Sequence, residues 1–171
     1  SDGLKGLIAI QGNPEYVAHF DDLTGTRGGT WPASTPYAAT VGTGTEVIGI
    51  TQAVNGTMTL TTGSAGSDTA GQAFGLNWNG DNGFYFISRA KISTVTNSKF
   101  EIGMTDAVND DGAVTVKATP GFTATDCAIA VYDTTDNTSV SFVSNGGTTD
   151  ADADWSGSVA ADTFFVVEIV G

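Results

Sequence analysis

Short runs of apolar and β-branched residues alternate with turn-forming residues along most of the chain. Val, Ile, Phe, Tyr and Thr favour strands, whereas Gly, Asn and Asp favour turns. Residues 84–95 alternate most clearly, with Phe84 and Phe86 on one face and Tyr85 and Ile87 on the other. Since no stretch carries a sustained helical stripe, the pattern predicts an all-β protein built as an antiparallel β-sandwich.

The predicted strands are short, and turn residues separate them. Asn55-Gly56 is a strong hairpin signal between two of the strands. Small and polar residues predict loops at 23–37, 62–71 and 146–154. The strands are predicted at residues 6–10, 16–20, 46–54, 57–61, 72–78, 84–95, 100–105, 113–118, 127–132, 139–143 and 164–170.

Length and charge limit the classes of function. The 171 residues suffice for the core of a single domain spanning 1–171, in which residues 1–20 form a terminal arm or edge strands. The net charge is −13, with only six Lys and Arg. Because nucleic acids and anionic membranes both attract basic side chains, we expect neither a nucleic-acid partner nor a membrane partner.

The single cysteine, Cys127, lies in the predicted strand 127–132. One cysteine forms no intrachain disulfide, which fits assembly in a reducing cytoplasm. A catalytic thiol needs a histidine beside it, and His19, the only histidine, is distant in sequence. We therefore expect a buried, inert thiol.

Three alternating acids form a candidate metal site. Asp150, Asp152 and Asp154 share one face if the segment is extended, and their spacing resembles the first half of a calcium-binding loop. The second half does not follow, because Trp155 and Ala161 stand where the turn glycine and the bidentate glutamate belong. A Ca²⁺ site and a solvated acidic loop are both open interpretations, and no other cofactor is expected.

Four segments in order resemble one fold family. They are Asp21-Asp22-Leu23 and residues 56–64, 84–92 and 100–106. Together they resemble the concanavalin A-like lectin/glucanase jelly roll, in the version found in tailed-phage virion proteins. The resemblance implies a jelly-roll sandwich. In that family a strand such as 164–170 is usually followed by one more hairpin. The resemblance therefore implies a sheet edge that is either left unpaired or completed by another chain or segment.

The glucanase branch of the family implies a pair of carboxylates for glycoside hydrolysis. The sequence lacks the Glu-x-Asp-x-x-Glu strand of that branch, and its four glutamates, Glu15, Glu46, Glu101 and Glu168, are isolated. Glu101 is expected to be a solvated surface residue. We therefore expect no catalytic residues and a protein that is not an enzyme.

The lectin branch implies a sugar site built from exposed aromatic rings beside hydrogen-bonding side chains. Trp78, Asn79, Asp81 and Trp155 are the candidates for such a site. Aromatic residues of a sandwich are more often packed in its core or rim. If the glycan site is real, the chain is a lectin-like or receptor-binding module of a phage fibre or a secreted protein.

The main functional expectation is a virion structural protein, namely a capsid decoration or cement protein of a tailed bacteriophage. Such a protein is assembled in the host cytoplasm, binds the major capsid protein on the capsid exterior, and stabilises the shell by multivalent contact. Loop length and edge position predict partner contacts by Arg27, Trp31, Phe164 and Val166. Self-association as a trimer or dimer would cover the sheet edges.

Overall fold

A computed structural model describes residues 39–43, 47–51, 57–66, 68–73, 83–107, 112–146 and 151–171. These residues form antiparallel strands and no helix, so the predicted all-β class is confirmed for them. They accordingly contain no helix of membrane-spanning length. The strands are β1 (Ala39–Thr43), β2 (Val47–Thr51), β3 (Thr57–Thr61), β4 (Thr69–Ala73), β5 (Tyr85–Ala90), β6 (Lys99–Thr105), β7 (Val114–Val116), β8 (Gly121–Phe122), β9 (Cys127–Asp133), β10 (Ser139–Asn145), β11 (Ala151–Ser158) and β12 (Phe165–Val170).

Four strands form the central sheet, in the order β11-β10-β9-β6. β9 lies inside this sheet, where Ile129 pairs with Val143 of β10 on one side and with Gly103 of β6 on the other. The β9 sequence is apolar from Cys127 to Tyr132 and ends at Asp133, and all but one of its residues are buried. Such a run is typical of a strand that is covered on both faces.

The β5–β12 pair covers one face of the central sheet. Ala130 and Tyr132 of β9 pack with Val167 of β12 in one apolar cluster. Phe100 of β6 joins the two layers, because its ring centroid lies 5.3 Å from that of Tyr132 and 5.4 Å from that of Phe165. Burial of these rings and aliphatic side chains holds the layers together.

The segment 112–124, which contains β7 and β8, covers the opposite face. Val114 and Ala124 pack against Ile129, Val131 and Val143 of the central sheet. Ile129 and Val131 of β9 alternate with Ala130 and Tyr132, which face the β5–β12 pair, so the sheet has an apolar core on each side. The central sheet is thus covered on both faces, and the cover on this side is irregular.

The alternation predicted for residues 84–95 holds in burial from 84 to 93. The predicted strand is too long, because β5 ends at Ala90, opposite Phe165, where its pairing partner β12 begins. Phe84 and Phe86 pack into the core beside the central sheet, whereas Tyr85 and Ile87 are exposed. The predicted burial of Cys127 is also confirmed, since its side chain belongs to the core cluster on the opposite face.

Two further antiparallel pairs are β1–β4 and β2–β3. Thr51 pairs with Thr57, so β2 and β3 are the predicted hairpin, and the Asn55-Gly56 turn itself lies outside the described residues. β4 contacts both β2 and β3.

Two predicted loops contain strands. β11 begins at Ala151, inside the loop predicted at 146–154; its Ala-Asp-Ala-Asp start alternates with period two, a strand signal that the acidic composition obscured. β4 begins at Thr69, inside the loop predicted at 62–71, because backbone pairing with β1 holds its small residues in a strand. The strands predicted at 6–10 and 16–20 lie outside the described residues.

Candidate interaction surface

The β5–β12 pair has an outer face that points away from the core. Alternate residues of each strand point outward, and the register sets the outward residues of β5 opposite those of β12. Phe164, directly before β12, joins them. The outer face therefore consists of Tyr85, Ile87, Arg89, Phe164, Val166, Glu168 and Val170.

Apolar side chains dominate the outer face. Seven large apolar residues are exposed in the described part of the chain, and five of them belong to this face. Among these five, Ile87 is 57% exposed, Val166 58% and Val170 73%. Single exposed apolar residues are ordinary, but a group of them on one strand pair is typical of a binding surface.

Two cations stand beside Phe164 at one end of the outer face. The guanidinium carbon of Arg89 lies 4.0 Å from the centroid of the Phe164 ring, and Nζ of Lys91 lies 5.6 Å from it. These cation–π contacts orient the ring. Lys91 also forms an exposed ion pair with Asp162 at 3.7 Å, which adds little stability. Positive charge thus stands at this end of the outer face, in a protein whose net charge is −13.

Tyr85 and Glu168 form the other end of the outer face. A hydrogen bond from the Tyr85 hydroxyl to Glu168 raises the pKa of Tyr85 above its usual value, and slight desolvation and the charge of Glu168 add to the effect. Tyr85 therefore remains a neutral donor at neutral pH. Its ring offers apolar area and its tip a hydrogen bond, a combination that is frequent in interfaces.

Two of the four residues predicted to contact a partner lie on the outer face. Phe164 and Val166 are neighbours there and both are exposed, whereas Arg27 and Trp31 lie outside the described residues. The sequence analysis missed Ile87 as part of the same surface. Its outward position was predictable from the alternation in 84–95, but the pairing of that strand with β12 was not.

The predicted glycan site is not described by the structure. Trp78, Asn79 and Asp81 lie outside the described residues. Trp155 belongs to β11 by its backbone, and its side chain lies outside the description. Glycan binding therefore stays a prediction.

The predicted calcium ligands fall partly on β11. Asp152 pairs with Val143 and Asp154 with Ser141, so both acids lie in a strand, while Asp150 lies outside the described residues. Among the side chains that the structure describes, no group of three metal-binding residues occurs. The Ca²⁺ site also stays a prediction.

Glu101 is not the solvated residue expected from the sequence. Its side chain is only 16% exposed and forms an ion pair with Lys99 at 2.9 Å. The carboxylate oxygens accept hydrogen bonds from the backbone N–H groups of Ala113 at 2.7 Å and Val114 at 3.2 Å. Glu101 therefore ties β6 to the start of β7, because a buried backbone donor needs an acceptor.

A polar cluster that the sequence analysis missed lies at the other end of β7. Lys117, Asp136, Asn137 and Ser139 meet where the turn after β7 approaches the turn between β9 and β10. The available signal was one lysine inside the apolar stretch 113–118, a pattern that places a long cationic side chain near a core.

Comparison with known proteins found no family model, no curated protein and no solved structure that matches the chain.

Proposed function

We propose that this chain is a structural protein of a tailed-phage virion that binds the capsid exterior through the outer face of the β5–β12 pair. The grouping of five exposed large apolar residues on that face is the observation that carries the proposal. The segments 84–92 and 100–106, which resemble the phage jelly-roll family, contain β5 and most of β6. A jelly-roll arrangement of the strands is part of the same proposal.

The strand that carries much of the outer face is packed against the core. Val167 and Ile169 alternate with its residues along β12, and both are buried against the central sheet. The strand that carries the exposed side chains is therefore held in position before a partner arrives. A prearranged surface loses less conformational freedom on binding, which favours affinity.

The chemistry of the outer face indicates the chemistry of the partner surface. Ile87 and Val166 need an apolar patch opposite them, and Arg89 and Lys91 favour carboxylates at its edge. A shell protein repeats such a patch many times, so that many copies of a small contact reinforce the shell.

The test uses capsid shells that lack this protein. The wild-type chain is expected to sediment with the shells and to raise the temperature at which they disrupt. Val166→Asp places a charge in the apolar centre of the outer face, and we expect affinity to fall by about tenfold or more. Leu60→Asp is the matched control, because Leu60 is also an exposed apolar strand residue but lies on β3.

Two outcomes would overturn the proposal. One is a wild-type chain that neither binds the shells nor changes their thermal stability. The other is binding that Val166→Asp and Leu60→Asp weaken equally. Retention on a glycan array together with no binding to shells would favour the lectin-like module instead.

A further inference from the structure

Lys117 is a buried cation with an unusual set of partners. The residue is 1% exposed. Its Nζ lies 2.5 Å from Oδ1 of Asn137, 2.8 Å from the carbonyl oxygen of Ser139 and 3.5 Å from Oδ2 of Asp136. Burial of an ammonium group is unfavourable even when it is paired, so the site favours a reaction that removes the charge.

The side-chain carboxamide of Asn137 is held in one orientation. The backbone N–H of Ser139 donates to Oδ1 at 2.8 Å, and Nδ2 donates to Oδ2 of Asp136 at 2.9 Å. A donor at one end and a carboxylate at the other fix which atom is oxygen and which is nitrogen. Because Cγ is bonded to Oδ1, the carboxamide carbon lies close to Nζ of Lys117, and its oxygen is already hydrogen-bonded to a backbone donor.

Asp136 connects the two nitrogen atoms. The same atom, Oδ2, lies 3.5 Å from Nζ of Lys117 and accepts the hydrogen bond from Nδ2 of Asn137. A carboxylate in this position can take a proton from the amine and deliver it to the amide nitrogen. Nucleophile, electrophile and proton carrier are thus present together.

We propose that Lys117 and Asn137 form an intramolecular isopeptide bond, catalysed by Asp136. Nζ of Lys117 attacks Cγ of Asn137, the Cγ–Nδ2 bond breaks, and ammonia leaves. The negative charge that develops on Oδ1 is stabilised by the N–H of Ser139, as in an oxyanion hole. Fixed proximity replaces an external catalyst.

The step balances without a co-reactant. Of the three ammonium protons of Lys117, one passes through Asp136 to Nδ2, a second leaves with the ammonia as ammonium, and the third stays on the new amide nitrogen. The positive charge of Lys117 leaves with the ammonium ion, so a neutral amide replaces a buried cation. A cavity of about 210 Å³, lined by Lys117, Asp133 and Asp136 among others, adjoins the site and offers an exit.

The other described lysines lack this arrangement. Lys99 contacts Glu101 and the carbonyl oxygen of Val114, and Lys91 contacts Asp162. Among the described residues, Lys117 alone is shown with its amine against a side-chain carboxamide. The bond would join the turn after β7 to the turn between β9 and β10. It would thus link the irregular layer covalently to the central sheet.

Intact mass of the purified chain tests the proposal. The cross-linked chain is expected to be about 17 Da lighter than its sequence, because it has lost one ammonia. Protease digestion is expected to yield a branched peptide that joins residues 117 and 137. Lys117→Arg keeps the charge but removes the amine nucleophile, so both signals should disappear.

Asp136→Asn is a second variant. Because it changes a partly exposed side chain, we expect the chain to fold, so the proposal can still be tested if Lys117→Arg does not fold. We expect its mass to equal the value from its sequence. Asp162→Asn is the matched control, since Asp162 is also a carboxylate paired with a lysine, but without a carboxamide beside it. This control should retain the mass loss.

A wild-type chain of full mass would overturn the proposal. So would a mass loss that persists in Lys117→Arg, because succinimide formation at another asparagine also releases ammonia. A mass loss in Asp136→Asn equal in extent and rate to that of the wild-type chain would remove Asp136 from the mechanism.

Discussion

Glu101 shows how one side chain can hold a strand in place. The two backbone N–H groups it accepts belong to consecutive residues, Ala113 and Val114, at the entry to β7. Both residues are buried, so water is not available as a substitute acceptor. Gly112 precedes them with a positive φ of 76°, and a Cβ at that position would lie 2.8 Å from the Glu101 carboxylate. The turn therefore requires glycine.

Glu101→Ala is expected to lower the free energy of unfolding by about 2–3 kcal/mol, because two buried donors lose their acceptor and Lys99 loses its ion pair. Glu168→Ala, which removes an exposed glutamate, should change it by no more than about 0.5 kcal/mol. Urea unfolding of both variants measures the difference. Equal losses would show that Glu101 does not act through these bonds.

Asp106 is expected to make the stability of the fold depend on pH. The Thr125 hydroxyl and then the backbone N–H groups of Asp126 and Thr125 donate to its carboxylate, which lowers the pKa of Asp106 below its usual value. Because the folded-state pKa is below the unfolded-state pKa, the carboxylate stabilises the fold fully at pH values well above about 4. This stabilisation is lost as pH falls through the folded-state value.

Asp106→Asn should therefore be less stable than the wild-type chain at pH 7, and the difference should shrink as the pH is lowered through the acid range. Unfolding curves at a series of pH values measure it. A difference that stays constant down to the lowest pH would contradict the assigned role of the carboxylate.

The strands differ in how far their burial and their pairing partners could be predicted from sequence. β5 alternates strictly, so its buried and exposed faces could be predicted from residues such as Phe86 and Ile87. β9 is apolar from Cys127 to Tyr132, and its sequence indicates burial but not which two layers cover it. β11 was missed because its Asp residues resemble a loop. Pairing partners, such as β12 with β5, depend on contacts between distant segments that local pattern does not encode.

In the candidate surfaces too, some residues could be predicted from local sequence, and others depend on contacts between distant segments. Phe164 and Val166 could be identified from edge position. The outward position of Arg89 follows from the alternation of β5, but its place beside Val166 and Phe164 depends on the pairing of β5 with β12. Lys117 and Asn137 are 20 residues apart in sequence, and no spacing rule brings them together. Their meeting depends on how the turn after β7 packs against the central sheet.

The absence of a side chain at Gly103 allows β6 and β9 to pair closely. A Cβ on Gly103 would lie 2.2 Å from the backbone oxygen of Ala128 and 2.8 Å from Cα of Ile129, both in β9. Gly103→Ala should therefore lower the free energy of unfolding by about 2–4 kcal/mol, since a central strand must move.

Gly66→Ala is the control for Gly103→Ala. No atom lies within 4 Å of a Cβ at Gly66, so we expect a change of less than about 1 kcal/mol. Denaturant unfolding of the two alanine variants gives the comparison. A Gly103→Ala chain as stable as the Gly66→Ala chain would show that the β6–β9 spacing is less tight than described.

At the scale of the molecule, the described residues include a central sheet with a different cover on each of its two faces. The central sheet is buried on both faces by apolar clusters. The segment 112–124 closes one side, held by Glu101 and, in our proposal, by a covalent bond from Lys117. The β5–β12 pair closes the other side and leaves its outer face to water. The proposed role on a capsid uses this exposed outer face for contact.

Backbone hydrogen–deuterium exchange of the chain, free and bound to capsid shells, tests that role most directly. Binding through the outer face predicts slower exchange in residues 85–90 and 165–170 and unchanged exchange in 47–51 and 57–61. Protection that appears in β2 and β3 while β5 and β12 exchange as in the free chain would contradict it.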